Sequence, residues 1–417
     1  MSGERIRIDD LARPVLTDAQ RASIAAAERI PVALSEDVVL AAARRQTGLD
    51  DFGADDFRAR LRVWLAAADE DPTLGPLGRL AVFGNCVRYL ANRLRLEDLL
   101  RRHPEIRDVP LRAPIIVAGL PRSGTTHLVN LIAADARLRS LPYWESLEPV
   151  PIRGEGPGRD GRDPRWVRCR AQYESADARL PLLKAMHDMT PEHVHEEIEL
   201  QDLDFASYGL EWLCTAPRWR DHYLALDQRP HYAYLKRALQ ALQWLRGPDR
   251  WVLKSPQHLE QLGPLVDTFP DATIAITHRD PVAVIQSAIT MLAYGERVRR
   301  TRLDLPALAA YWIDRIERLL RACVRDRDRV PADRSVDVVF HEFMADERGT
   351  VARIYERAGL PMTAEATASI DAFLAENARG RHGQVEYDLP GDFGVDAAEV
   401  RRRFDFYFAR FPIRPED

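Results

Sequence analysis

The chain has 417 residues, 46% of them hydrophobic, which is enough for a large buried core and for two or three domains. Its 59 basic and 64 acidic residues leave a net charge of −5, so there is no global basic field and nucleic acid is excluded as the main partner. No run of about 18 apolar residues occurs and the opening MSGERIRIDDLARP lacks the apolar centre of a signal peptide, so the expectation is a soluble, cytoplasmic protein with no membrane partner.

Residues 1–110 read as mostly helical. Ser35 and Asp37 can cap a helix over Val38–Arg45, and Asp55 and Asp56 open another with Phe57, Leu61, Trp64 and Leu65 on one face. A third, Leu80–Arg101, repeats apolar residues at Val82, Cys86, Leu90 and Leu94. None of these helices carries catalytic spacing. They are expected to form an extension packed over the core or over its substrate mouth.

The pattern changes at Pro114. Ile115, Ile116, Val117 and Ala118 form an unbroken apolar run, the mark of a parallel strand buried on both faces. Gly119-Leu-Pro-Arg-Ser-Gly-Thr-Thr126 follows, and then apolar residues at helical spacing. A strand, a glycine-bearing loop and a helix in that order aim backbone N–H groups and the positive end of a helix dipole at one point, which favours a bound phosphate. The two glycines have the spacing of a P-loop, but Thr125 stands where its lysine would be. Without that lysine, ordinary nucleoside triphosphate chemistry is disfavoured. Arg122 inside the loop offers a permanently charged fork instead.

Further on, Leu138–Trp144 predicts a second short strand ending in Glu145, and residues 151–165, rich in Gly, Pro and charge, predict a solvated loop. In PEHVHEEIEL, His193, His195, Glu196, Glu197 and Glu199 bring to mind a metal site, but the spacing is not HExxH. An acidic helix start after Pro191, with Ile198 and Leu200 turned inward, is expected there. Cys86, Cys169, Cys214 and Cys323 are scattered without a CxxC pair, so neither a disulfide framework nor a metal site is expected.

Trp251-Val-Leu-Lys-Ser-Pro-Gln-His258 reads as a strand ending in a polar turn. In open α/β sheets ligands gather outside the carboxyl ends of strands, so Lys254 and His258 stand where chemistry would be. Lysine occurs only at 184, 236 and 254 among the 59 basic residues. Where arginine is used almost everywhere, a lysine's compact point charge is a distinct choice. Thr273–Thr277 is another buried strand, after which Asp280 can cap a helix with Pro281 at its first position. Arg279 at the strand end and Ser287 two turns into that helix can reach one phosphate. The competing kinase HRD motif needs an asparagine where Ile285 stands. Leu305–Val324 is a long amphipathic helix, Val336–Phe340 a strand, and the stretch from Arg379 to Gly383 a glycine-bearing basic segment.

PRSGTT directly after an apolar strand resembles the 5′-phosphosulfate loop of the sulfotransferases that use 3′-phosphoadenosine-5′-phosphosulfate (PAPS), and the likeness runs from roughly Ala113 to Phe411. The resemblance implies a P-loop-like three-layer α/β core with a central parallel sheet over residues 111–417, behind the helical N-terminal extension of residues 1–110. It implies that Arg122, Ser123, Gly124, Thr125 and Thr126 hold the 5′ side of PAPS and that Arg279 and Ser287 hold its 3′-phosphate. WVLKSPQHL resembles the segment that carries a catalytic lysine, Lys254 here. A closing segment over the cofactor corresponds loosely to Arg381 and His382. Glu145 matches the glutamate base of one branch, with His258 as the rival base. The implied activity is metal-independent transfer of a sulfuryl group from PAPS to the hydroxyl or amine of a small, partly apolar acceptor, releasing 3′-phosphoadenosine-5′-phosphate (PAP). A small-molecule kinase and a non-catalytic nucleotide-binding module are the alternatives.

Overall fold

The structure, a computed structural model, describes residues 4–247, 250–377 and 382–416. Six strands occur among them: β1 (Arg5–Ile6), β2 (Ile115–Gly119), β3 (Val252–Ser255), β4 (Thr273–His278), β5 (Ser335–Val339) and β6 (Gln384–Val385). Four form a parallel sheet in the order β3-β2-β4-β5. β2 lies between β3 and β4, with Val117 opposite Lys254 on one side and Ala275 on the other. Because side chains alternate across a sheet, Ile115 and Val117 pack with Val252, Ala275 and Val338 against the helices Thr125–Ala133, Glu347–Arg357 and Ala364–Glu376. Ile116, Ala118, Leu253, Ile274 and Ile276 join the opposite layer, shared with the helices Arg229–Leu245, Leu262–Thr268 and Leu305–Asp326. The result is the expected three layers around a buried parallel sheet.

The first hundred residues supply the helices Asp18–Glu28, Glu36–Thr47, Phe57–Asp69 and Pro76–Arg102. A capping box closes the first, with Thr17 and Gln20 satisfying each other's backbone N–H. Ser35 holds the N-cap position of the second but makes no side-chain cap bond. Apolar residues of these helices enter the layer behind β2: Trp64 meets Trp219 edge-on with ring centroids 5.9 Å apart, and Phe57 stacks on Phe205 at 6.3 Å. Arg60 and Arg93 both reach the Asp204 carboxylate at 2.8 Å. The N-terminal helices are thus locked onto segment 198–224.

Two local expectations need correction. Leu138–Trp144 is not a strand: it makes two isolated bridges, Arg139 to Trp251 and Pro142 to Val194, and the chain turns at Pro142 into a short helix, Tyr143–Leu147. The acidic stretch after Pro191 is not a helix start, because Val194 pairs with Pro142 and holds the backbone out until Ile198–Gln201. No helix among the described residues is long and apolar enough to cross a membrane. The short pair β1–β6 runs parallel and fixes the N-terminal segment beside His382.

Candidate active site

The loop after β2 is pressed against β4. A Cβ on Gly119 would stand 1.8 Å from Thr277 Oγ1, so only glycine fits. Gly124 enters the helix at a φ of 89°, in the left-handed region where glycine is at ease. Arg122 adopts a φ of 69° without being glycine, a strain of about 1–3 kcal/mol that surrounding contacts must hold in place. Its Nε donates to Ser287 Oγ at 3.0 Å, its Nη1 to the Met186 carbonyl at 2.5 Å, and its own carbonyl accepts from Arg279 Nη1 at 2.7 Å. Arg122, more than 150 residues before either of them in the chain, thus touches both Arg279 and Ser287.

The first amide to bond back inside the following helix is that of Leu128, to Gly124 O at 3.0 Å. The N–H groups of Gly124, Thr125, Thr126 and His127 precede that ladder and give the helix start its affinity for anions. The Ser123 hydroxyl is already committed, to Leu120 O at 2.6 Å and Thr277 Oγ1 at 2.7 Å, and its N–H bonds Leu120 O at 3.2 Å, so Ser123 braces the loop against β4.

Three cavities meet at Arg122 and Thr126. One, about 450 Å³, runs from the loop past Arg279 to Phe340 and Leu374. A second, about 490 Å³, is bounded by His127, Asp188, His193 and His382, with His382 paired to Asp188 at 3.3 Å. Arg381 lies outside the described residues. The third, about 220 Å³, leads inward between Met189, Ile198, Trp212 and Met291 to Asp202. Its walls include Tyr89 from the long N-terminal helix, so that helix does reach the inner cavity. Burial, with the charges of Lys254 and Arg122 behind it, holds His187 at the junction well below its ordinary pKa and therefore neutral.

Lys254 points from β3 to the face occupied by the loop helix. Its ammonium, 1% exposed, is ion-paired with Glu196 and lies 3.4 Å from Thr126 Oγ1. Glu196 is the site residue that sequence reasoning misplaced. It was expected inside a helix, and the extended backbone instead carries it to the wall of the 220 Å³ cavity. The next residue, Glu197, is fully buried: Oε2 accepts the Lys254 N–H at 2.8 Å and Oε1 lies 2.6 Å from His258 Nε2. His258 Nδ1 lies 2.8 Å from the Tyr232 hydroxyl. With the proton on Nε2 every partner is satisfied, so His258 has no nitrogen left for an acceptor proton and instead orients Glu197 and the Lys254 backbone.

Glu145, which the resemblance offers as base, stands apart from the cavities at the loop. Glu145 is 1% exposed and borders none of the three cavities. Arg139 grips both its oxygens at 3.0 and 3.1 Å, and Arg246 adds a bond at 2.8 Å. The reason is local, since the turn at Pro142 brings Glu145 back over Arg139.

At the inner end of the 220 Å³ cavity, burial and the charge of Glu199 push the Asp202 carboxyl up to about 8. In Glu199 burial is outweighed by Arg88 and His195, so that carboxylate is held low. The folded protein thus keeps a proton on Asp202 that the unfolded chain releases above about pH 4. Stability contributed by this group falls as pH rises from there to about 8. Asp202→Asn, which needs no proton, is expected to melt close to the wild type at pH 5 and progressively above it toward pH 8. A constant difference across that range would contradict the assignment.

The sequence profile of the Sulfotransferase family matches residues 114–364, the loop, Lys254, Arg279 and β5 included. The chain belongs to this family. Among solved structures, this sulfotransferase is similar to sulfotransferase STF1 from Mycobacterium tuberculosis H37Rv, at 30% identity over 89% of this chain and 98% of that one, with a TM-score of 0.78. It is similar also to STF9 from Mycobacterium avium, at 26% identity over 92% and 98% of the two chains, with a TM-score of 0.82. None of the curated proteins compared matches it. The coverage by STF1 and STF9 extends well beyond the profile, so most of the helical N-terminal part has a counterpart in both.

Proposed function

We propose that this sulfotransferase moves the sulfuryl group of PAPS to the hydroxyl or amine of a small, partly apolar acceptor and releases PAP. The observation that carries the reading is the meeting of Arg122, Arg279 and Ser287 beside the amides of a glycine loop. A donor with phosphate at both the 5′ and 3′ positions needs two anion sites. The loop amides with Thr125 and Thr126 supply the first, and Arg279 with Ser287 the second. The cradle fits such a group, since a side chain at Gly124 would press on the Phe340 ring at 3.1 Å, whose face also meets the Arg279 guanidinium at 4.0 Å. The Glu416 carboxylate now holds Arg279 at 2.8 and 2.6 Å, and an incoming phosphate would take over those bonds.

When bound, PAPS supplies a sulfuryl group on a phosphate leaving group. Such a transfer relies on positioning and on charge stabilisation. Lys254 and Arg122 provide fixed positive charge on the leaving side. Glu196, at the junction of loop and inner cavity, is placed to take the acceptor proton, a role that passes to it from Glu145 and His258. The 220 Å³ cavity with its Met, Ile and Trp walls is the acceptor pocket in this reading.

A thermal or chemical unfolding series with PAP and AMP tests the donor. At 100 times its dissociation constant PAP should stabilise the fold by about 2.7 kcal/mol, and AMP, lacking the 3′-phosphate, far less at the same concentration. Equal stabilisation by both would remove the support for PAPS.

A further inference from the structure

A fourth cavity, about 470 Å³, lies away from the loop, between the Pro76–Arg102 helix and the segment from Leu147 to Gln172. Polar side chains share its walls with Ala81, Leu147, Ile152 and Cys169. The Gln46 and Gln172 carboxamides border it, as does Asn92, which spends its amide on the Leu147 carbonyl at 2.7 Å. Arg168 borders it too, but its fork is fully engaged by Glu148 and Glu155 at 2.8 to 3.0 Å.

Arg95 is different. Of the eight buried arginines among the described residues, seven are ion-paired with an aspartate or glutamate. Arg95, 8% exposed, is the eighth and has no such partner. Its one hydrogen bond is a long one, 3.4 Å, to Asn92 Oδ1. Burial disfavours its charge, which Glu148 supports only from a distance while Arg168 opposes it. A buried cation without a counter-ion is costly, and the chain avoids that cost at every other buried arginine. The neighbouring Arg88 also borders this cavity. It pairs at 2.9 Å with Glu199 of the acceptor-pocket wall, and its buried Nη1 has no partner. A guanidinium fork facing a cavity of mixed polarity matches a planar carboxylate or a phosphate oxyanion.

We propose that this cavity is a second anion site, separate from the loop, which binds a small hydrophilic molecule through a carboxylate or phosphate group held by Arg95, with Gln46 and Gln172 available to its polar body. Nothing in the sulfuryl-transfer reading requires it, so the two stand or fall independently.

Calorimetric titration with succinate and with inorganic phosphate at constant ionic strength tests the proposal and tells carboxylate from phosphate. The full-length protein is compared with Arg95→Gln, Arg95→Lys and Arg122→Ala. Arg122→Ala weakens the loop site and should leave one anion-binding event intact. Arg95→Gln should weaken that event at least tenfold, and Arg95→Lys, which keeps charge without the fork, should fall between. Arg95→Gln should also melt at or above the wild type in the absence of anions. Should Arg95→Gln fold poorly, the Arg95→Lys and wild-type titrations still decide. Wild-type affinity for both anions in the Arg95 variants, or no anion binding in Arg122→Ala, would overturn the site.

Discussion

Lys254→Ala is expected to lower turnover by on the order of a hundredfold or more, the usual consequence of removing one preorganised charge donor from a water-excluded site. The ammonium is 1% exposed, lies 3.4 Å from Thr126 Oγ1 at the helix start, and is paired with Glu196. PAP-induced stabilisation should change much less, because the loop amides, Arg122, Arg279 and Ser287 remain. Lys254→Arg should not restore the rate, since the larger fork has no room in a fully buried position and would displace Glu196. Glu196→Gln should resemble Lys254→Ala in turnover while preserving the PAP response. Because the two side chains touch, the double variant should lose less than the sum of the single losses. Turnover retained by Lys254→Ala alongside lost stability would make the lysine structural, and additive losses would mean that Glu196 and Lys254 act apart.

The parts of this site that could be read from the sequence are those whose placement is local. The strand, loop and helix around Gly119 and Gly124 follow from an apolar run and two glycines, and Arg279 and Ser287 reach Arg122 because one ends a strand and the other lies in the helix beginning directly after it. Lys254 stood out because the chain uses so few lysines. Glu196 and Glu145 were misread for one shared reason. Segments 138–147 and 191–197 take their shape from each other, through the Pro142–Val194 bridge, and nothing in either sequence announces a contact across fifty residues. The same bridge pulls 191–197 out of the helix that its charge pattern favours and leaves Glu196 at the cavity and Glu197 behind it. The partners of the core polar groups, such as Glu197 for His258, come from elements still further apart in sequence. The fold class was legible because buried parallel strands carry continuous apolar runs.

Glu145→Ala separates a structural glutamate from a catalytic one. Its carboxylate is 1% exposed and is gripped by Arg139, which is itself fully buried, stacked on Trp251 at 4.1 Å and bonded to the Leu242 carbonyl at 2.6 Å. Removing the carboxylate leaves that guanidinium buried without a counter-charge, and breaking a buried pair in this way costs about 3–5 kcal/mol. Chemical denaturation should therefore show a large loss of stability. Glu145→Gln, which keeps a hydrogen-bond acceptor, should lose less. Turnover per folded molecule, measured where both variants remain folded, should stay near the wild-type value, because Glu145 borders none of the cavities around the loop. An enzyme of unchanged stability that has lost its turnover would return the base to Glu145 and require the acceptor to approach from the Arg139 side. In this structure that side is closed by Trp251 and Arg246.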